Sequence, residues 1–551
     1  MDRVILAPVL ALIGFSGLRF GRVLALCVLS AAIEGVGFLA LARLLGLFGL
    51  AETIKPPDAR VLLVALAVYV ALAAVAAGIV RLRTLATIRL RTDFADDLRL
   101  RAHRAVLAAE WAGAARANVS RIVQTLTTDA IRCGAGAEAL LGAAAQAIQI
   151  LVLFAAAAYL SPTTAFLAAA LAASAIPVSF SADRRARVSG VALGEAQQAI
   201  AASLTDDVAG LRTIKSFGAE GARAEKLEEQ VRRLGEILAS YAAAMGTARV
   251  LGLAFSAAAC GALLLAAVAM RGVPLADALV LAGIAARLFA AMARARENWR
   301  TALHHAASYE ALRHLSDEAP TALAPTSSRI RAPLANGIEL RGLEFAHPGS
   351  GKPVLANIDA VLPAGGVILL TGPSGEGKST LADLLAGLSA PTQGEIWIDG
   401  KALGAEDRAS WRARVGYAAQ DAFLFDDTVR ANLRLANSAA SEAAMTCALD
   451  LAAADFVRAL PQGLDTRVGQ RGVRLSAGER QRISLAAALL REPDFLILDE
   501  TFAPLDPATA ARVVRGLRSL SPATTILVVA HRAIPELAPS VVFRLEGGML
   551  S

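Results

Sequence analysis

Three long uncharged runs constrain this chain more than any other feature. Residues 61–80 carry no charge and are closed by Arg60 and Arg81. Residues 139–182 are also uncharged, but they are too long for one membrane span. Ser161-Pro-Thr-Thr164 interrupts them, which predicts two helices joined by a tight turn. Residues 250–270 form a third run, ending at Arg271. A helix crossing hydrocarbon needs about 20 apolar residues, so these runs predict four spans. Two less uniform stretches add a span each: 21–48, containing Glu34 and Arg43, and 276–296, containing Arg287. The expected count is six. Composition agrees, with 56% hydrophobic and 19% charged residues and a mean hydropathy of +0.52. Such values exclude a disordered or wholly soluble chain. Cys27, Cys133, Cys260 and Cys447 are scattered and form no CxxC pair, which argues against a disulfide framework or structural zinc site.

The net charge of +7 could signal nucleic acid or an anionic membrane surface. Its placement favours the membrane and leaves no nucleic-acid partner. Arg81, Arg83, Arg89, Arg91, Arg99 and Arg101 follow the second span, and Arg184, Arg185 and Arg187 follow the fourth. The opposite loops, 51–60, 161–164 and 271–275, are short and nearly neutral. The positive-inside rule then puts both termini in the cytoplasm, at a cytoplasmic (inner) membrane. Residues 4–18, after Arg3, imitate a signal peptide's apolar region, but no small-residue cleavage site follows and Arg19 and Arg22 lead into a span, so 1–19 is read otherwise. An interfacial helix is expected there.

The cytoplasmic loops 81–133 and 183–249 contain few breakers and no strand pattern, and so predict helical extensions of the spans. Half of the first loop would reach about 40 Å at 1.5 Å per residue. The expected membrane domain is 20–316. Residues 317–337, with Pro320, Pro325 and Pro333, read as a linker. From 338 to 551 strand-like and helical segments alternate, as in an α/β domain.

Within that domain, the apolar run 367–371 leads into Gly372-Pro-Ser374-Gly375-Glu-Gly377-Lys378-Ser379-Thr380 and then a helical pattern. This is GxxxxGK[ST] in strand–loop–helix context, where backbone N–H groups close around phosphates. Gly372, Ser374, Gly375, Gly377, Lys378, Ser379 and Thr380 are candidate nucleotide contacts. Lys378 would reach the β- and γ-phosphates and Ser379 would ligate Mg²⁺. Downstream, Asp494-Phe-Leu-Ile-Leu-Asp499-Glu500 is an apolar strand ending in two acids. Asp499 suits Mg²⁺ coordination, and Glu500 can polarise a water for attack on the γ-phosphate.

With these residues the chain resembles the ATP-binding cassette family. Leu475-Ser476-Ala-Gly478-Glu479-Arg-Gln-Arg482 looks like its signature, and Gln420 in Gly416-Tyr-Ala-Ala-Gln420 matches its Q-loop. Ala503-Pro-Leu-Asp506 matches the D-loop, Val528-Val-Ala-His531 the switch-histidine strand, and Thr466-Arg-Val-Gly469-Gln-Arg-Gly472 the exporter X-loop. The resemblance implies an α-helical six-span transmembrane domain of exporter type fused to an α/β P-loop ATP-binding cassette domain. It implies that Ser476 and Gly478 contact the γ-phosphate of a partner's ATP and that His531 holds γ-phosphate and water. Gln420 would sense Mg²⁺ and the water. The family's adenine-stacking aromatic falls at His347. Ala477 and Glu479 depart from the usual signature Gly and Gln, and a carboxylate near phosphates is repulsive unless solvated or paired.

The membrane half is similar to the exporter pattern more loosely, through coupling segments 118–129 and 210–220. The implied molecule is a half-transporter that dimerises around two ATPs with Mg²⁺. Because every catalytic position is filled, a homodimer is favoured over a heterodimer. Regulation through additional C-terminal helices and a fused peptidase are not expected. The resemblance implies ATP-driven export of a peptide, drug-like amphiphile or lipid; a lipid flippase and an ATP-gated regulator without transport are the alternatives. Glu34 and Arg287 fall toward mid-bilayer, where charges face a cavity or pair with each other; both readings stay open.

Overall fold

The computed structural model describes residues 17–45, 59–109, 119–160, 192–269, 275–317, 334–520, 524–531 and 535–551, with isolated positions such as Trp111 between them. The chain forms two compact units: 1–107 with 118–319, and 108–117 with 320–551.

The described residues of the first unit are helical apart from short turns at 210 and 218–219. Helices Gly17–Leu45, Ala59–Ala108, Ala130–Leu160, Glu220–Ala269 and Leu275–Asp317 carry the first, second, third, fifth and sixth expected spans. The fourth span and most of the expected interfacial helix lie outside the described residues. Among the described residues, Leu66–Ala108 and Val119–Tyr159 are helical stretches long and apolar enough to cross a membrane, and Val250–Ala262 is a shorter apolar helix. On helices Ala59–Ala108, Ala130–Leu160 and Glu220–Ala269 large side chains are turned outward: Leu63, Val64, Leu151 and Leu253 are each more than 60% exposed. That inversion of the usual soluble pattern suits contact with lipid rather than water.

Small residues fill the interior of this unit. Ala156, Ala157, Ala259 and Ala285 pack with Leu153, Ile284, Leu288 and Phe289. Helix backbones can approach closely where alanine lines the seam, so dispersion contacts replace a hydrophobic drive that lipid cannot supply. Polar pairs add registry: Arg91 to Glu138 at 2.7 Å, Ser308 to Asp129 at 3.0 Å, and Arg19 to Asp93.

The two 50-residue helices Ala59–Ala108 and Glu220–Ala269 are each about 75 Å long at 1.5 Å per residue. The expected helical loops are therefore present, and no strand occurs in their described residues. The segment 118–129 is a short helix, Val119–Gln124, passing into a π-helical turn, Thr125–Asp129. It belongs to the first unit, whereas 108–117 groups with the second. Segment 210–220 holds the helix Leu211–Phe217, stopped by Gly218 at φ 60° before the next helix begins. A left-handed C-cap closes the turn, and Lys215 pairs with Glu220 at 3.1 Å.

The second unit contains two sheets. β1 (Gly337–Phe345), β2 (Leu355–Pro363), β4 (Gln393–Ile398) and β5 (Lys401–Ala402) form an antiparallel sheet in the order β2-β1-β4-β5. β3 (Val367–Thr371), β6 (Val415–Ala418), β7 (Phe495–Asp499), β8 (Thr525–Val529), β9 (Val541–Glu546) and β10 (Met549–Leu550) form the other. Its order is β10-β9-β3-β8-β7-β6, parallel from β9 to β6. Every residue of β7 and β8 is buried, which explains why these strands read as continuous apolar runs rather than alternating ones. One face of the sheet packs Leu369, Leu496, Leu498 and Val528 against Ile483, Val513 and Leu517. The opposite face packs Ile368, Leu370, Ile497 and Leu527 against Leu381, Leu385 and Leu343.

Candidate nucleotide-hydrolysis site

Four adjacent parallel strands end at one edge. Leu370 pairs with Val529, Val529 with Asp499, and Leu498 with Ala418. The phosphate loop, the switch histidine, the acidic pair and the Q-loop therefore emerge side by side from β3, β8, β7 and β6. Ligand crevices of open α/β sheets form at such carboxyl ends.

The phosphate loop is built on backbone that other residues adopt poorly. Gly372, Gly375 and Gly377 have φ of 153°, 86° and 97°. A Cβ on Gly372 would lie 2.2 Å from the Leu545 carbonyl oxygen, so this glycine is required by space as well as by torsion. Gly377 caps the helix Lys378–Leu385 without a side-chain hydrogen bond, leaving that helix's first N–H groups available to an anion. Ser379 and Thr380 occupy the helix's first turn. Lys378 is buried at 5% exposure, and its Nζ donates to the carbonyls of Gly372 at 2.9 Å and Pro373 at 2.6 Å. The ammonium is thus held inside the loop, where a phosphate would replace those carbonyls as its acceptor.

Glu500 is clasped from two sides. Gln420 Nε2 donates to its Oε2 at 2.7 Å, and His531 Nε2 lies 2.7 Å from its Oε1. Its φ of 47° is a left-handed torsion held by non-glycine backbone, and Glu500 N donates to Val529 O at 3.0 Å. Strain of this sort is retained where surrounding structure fixes it. The three residues named as catalytic from the sequence meet at one carboxylate.

Asp499 is 2% exposed, and among the described residues its Oδ1 has no hydrogen-bond partner. Burial pushes its carboxyl above the usual carboxylate range; the nearby Ser379 hydroxyl pulls the other way. An unsatisfied buried carboxylate oxygen beside a serine hydroxyl is a donor set that fits Mg²⁺, which takes hard oxygen ligands. Because the folded value lies above the unfolded one, stability of the nucleotide-free protein falls as pH rises through that interval. Asp499→Asn is therefore expected to raise Tm at neutral pH without nucleotide while abolishing metal-dependent hydrolysis. A lowered Tm would count against the buried-charge account.

Residues 476 and 479 form a reciprocal cap on the helix Ala477–Leu489. Ser476 Oγ accepts from Glu479 N at 3.3 Å, and Glu479 Oε2 accepts from Ser476 N at 2.8 Å. The carboxylate that looked repulsive in sequence is paired with backbone, and an acid in the first turn suits the helix dipole. Glu479→Ala is expected to cost about 1 kcal/mol in thermal or denaturant unfolding. Glu479→Gln keeps the box and should leave Tm within about 2 °C. Gly478 packs against the D-loop: an added Cβ would lie 3.0 Å from Pro504 O. No hydrogen bond joins Ser476 or Gly478 to the phosphate loop among the described residues. His347 sits in the turn after β1 with its ring edge-on to Phe345, centroids 5.1 Å apart.

Three residues at this edge carried no sequence signal of their own. Gln481 Nε2 donates to Ala419 O at 2.9 Å, tying the signature helix to the Q-loop. Tyr417 donates to Asp383 Oδ1 at 3.0 Å and lies 3.5 Å from Asp499 Oδ2. Tyr417 stands inside the quoted Q-loop motif, but nothing in its spacing announces the pairing with Asp383. In the first unit, the side chains of Glu34 and Arg43 lie outside the described residues, and Arg287 is exposed on Leu275–Asp317.

Comparison with known proteins follows the same division. The family model of the ABC transporter transmembrane region matches residues 23–282, and that of the ABC transporter matches 355–503. The ATP-dependent lipid A-core flippase of Photorhabdus laumondii is 42% identical over 201 residues, 36% of this chain and 35% of that protein. The corresponding flippase of Escherichia coli K12 is 40% identical over 197 residues, 35% of this chain and 34% of its own length. A heterocyst differentiation ATP-binding protein of a Nostoc species is 39% identical over 200 residues, 36% of this chain and 33% of its own. The matches span about a third of these relatives' lengths. A solved bacterial Atm1-family ABC exporter with ATP bound aligns with a TM-score of 0.82 over 96% of this chain and 94% of that one, at 22% identity, a likeness of fold. With a membrane-region match followed by an ATP-binding match, in an exporter-type fold, this chain belongs to the ATP-binding cassette transporters as a half-transporter with its ATPase domain C-terminal.

Proposed function

We propose that this half-transporter works as a dimer that exports a substrate across the inner membrane, driven by ATP hydrolysis in the cytoplasm. The observation that carries this reading is the clasp on Glu500: a carboxylate held by Gln420 and His531 beside buried Lys378 and Asp499. Glu500 would accept a proton from water as that water attacks the γ-phosphorus in line. Negative charge then grows on the phosphoryl oxygens, where Lys378 and the loop N–H groups stabilise it. His531 would hold the γ-phosphate, and the phosphoryl group leaves as inorganic phosphate with ADP. Asp499, Ser379 and Gln420 would hold Mg²⁺, which when bound neutralises charge on the β- and γ-oxygens. His347 is assigned to the adenine.

Ser476 and Gly478, which among the described residues make no hydrogen bond to their own phosphate loop, are assigned by the family resemblance to the loop of a second copy. Every catalytic position is filled, so the homodimer is the favoured assembly. Within the chain we assign 1–19 to an interfacial helix, 20–316 to the membrane domain, 317–337 to a linker and 338–551 to the ATPase. The names of two relatives favour lipid as the substrate class to test first. Purified protein in liposomes, with a fluorescent lipid in one arm and an encapsulated amphiphile or peptide in another, decides among the readings. ATP-dependent movement of either supports transport and names the class. ATP hydrolysis with no movement of any candidate favours an ATP-gated regulator.

A further inference from the structure

A line of polar side chains not used in the hydrolytic reading runs away from Asp499. Tyr417 Oη lies 3.5 Å from Asp499 Oδ2 and donates to Asp383 Oδ1 at 3.0 Å. Asp383 is on the helix that follows the phosphate loop, and its other oxygen accepts from Trp111 Nε1 at 3.1 Å. Trp111 is anchored a second time, its backbone N donating to Leu388 O at 3.3 Å. It stands three residues beyond the end of Ala59–Ala108, the 50-residue helix that contains an expected span. Trp111 belongs to the nucleotide-binding unit, in the short stretch 108–117 that interrupts the sequence of the first unit.

A phenol has one hydrogen to donate, so Tyr417 cannot serve both carboxylates fully. At 3.0 against 3.5 Å, Asp383 holds the larger share. The indole N–H is Asp383's second donor. Without it, the partly buried carboxylate would depend on Tyr417 alone and draw that hydrogen further from Asp499. We propose that Trp111, Asp383 and Tyr417 are positioning residues that couple the loop after the first long helix to the orientation of Asp499, through the shared Tyr417 hydroxyl. The inference rests on the reading of Asp499 as a Mg²⁺ ligand. It adds a route by which movement of Trp111 changes metal affinity without touching nucleotide.

The test uses the full-length protein with a non-hydrolysable ATP analogue and Mn²⁺ as the paramagnetic probe. Trp111→Phe keeps an aromatic ring and removes the N–H. It is expected to weaken Mn²⁺ binding about threefold to tenfold, the range for one hydrogen bond, with metal-free analogue affinity unchanged. Tyr417→Phe should weaken it similarly, and the double variant no more than the weaker single, because both act on one line. Unchanged Mn²⁺ affinity in Trp111→Phe, or simple additivity of the two effects, overturns the proposal. Absence of nucleotide-dependent Mn²⁺ binding in the wild type would instead remove the Asp499 reading, and the relay with it. Should Trp111→Phe not fold, 5-fluorotryptophan labelling of the unsubstituted chain reads the same link. Mg²⁺ should shift the Trp111 resonance in wild type and not in Tyr417→Phe; a shift that persists overturns the relay.

Discussion

Glu500→Gln is expected to lower the rate of ATP hydrolysis by at least about 100-fold, the lower end of what a positioned general base contributes. The amide is close to the carboxylate in size and still offers an oxygen to Gln420, which now donates at 2.7 Å. What it loses is the ability to take a proton from water. Nucleotide affinity should therefore stay within about threefold of wild type, and the melting temperature within about 2 °C. Turnover by phosphate release and binding by a fluorescent ATP analogue separate the two effects. Residual turnover above a tenth of wild type would show that the proton goes elsewhere, with His531 as the next acceptor to test.

Lys378→Ala should abolish nucleotide binding at concentrations that saturate the wild type. Hydrogen bonds to charged groups are worth about 1.5–3 kcal/mol each, and every 1.4 kcal/mol is tenfold in affinity. A Lys378 that exchanges its two carbonyl acceptors for phosphate oxygens thus accounts for a loss of roughly 100-fold or more. The same substitution leaves the Gly372 and Pro373 carbonyls without their donor, so a modest drop in Tm is expected alongside. Lys378→Arg should not rescue binding. The site at 5% exposure fits a compact ammonium, and a planar guanidinium is larger and forked. Titration calorimetry with ATP checks both variants; wild-type affinity in either would remove Lys378 from the site.

The residues proposed for hydrolysis could be named from sequence because the chemistry assigned to them is local. A phosphate loop needs glycines and a lysine at fixed spacing within nine residues, and an acidic pair must directly follow a buried strand. Such constraints leave a readable string whatever the remainder of the fold. The membrane half was legible by a different route: uninterrupted apolar runs exist because hydrocarbon offers no partner to a charge. Glu479 shows the limit of this reading. Its charge was visible, but the backbone N–H of Ser476 that accommodates it was not, since a cap depends on where the helix starts.

The sequence by itself therefore determined the helical membrane half, the order of the ATPase motifs and the residue types proposed to do chemistry. All of these follow from interactions between near neighbours or with the solvent. Only the tertiary structure decided which of them meet. Gln420, Glu500 and His531 are separated by up to 111 positions and converge because β6, β7 and β8 are neighbours in a parallel sheet whose carboxyl ends are in register. The Trp111–Asp383–Tyr417–Asp499 line crosses 388 positions of sequence and has no spacing to read. Strand order and register arise from burial of whole faces, so contacts across them appear only once the chain has folded.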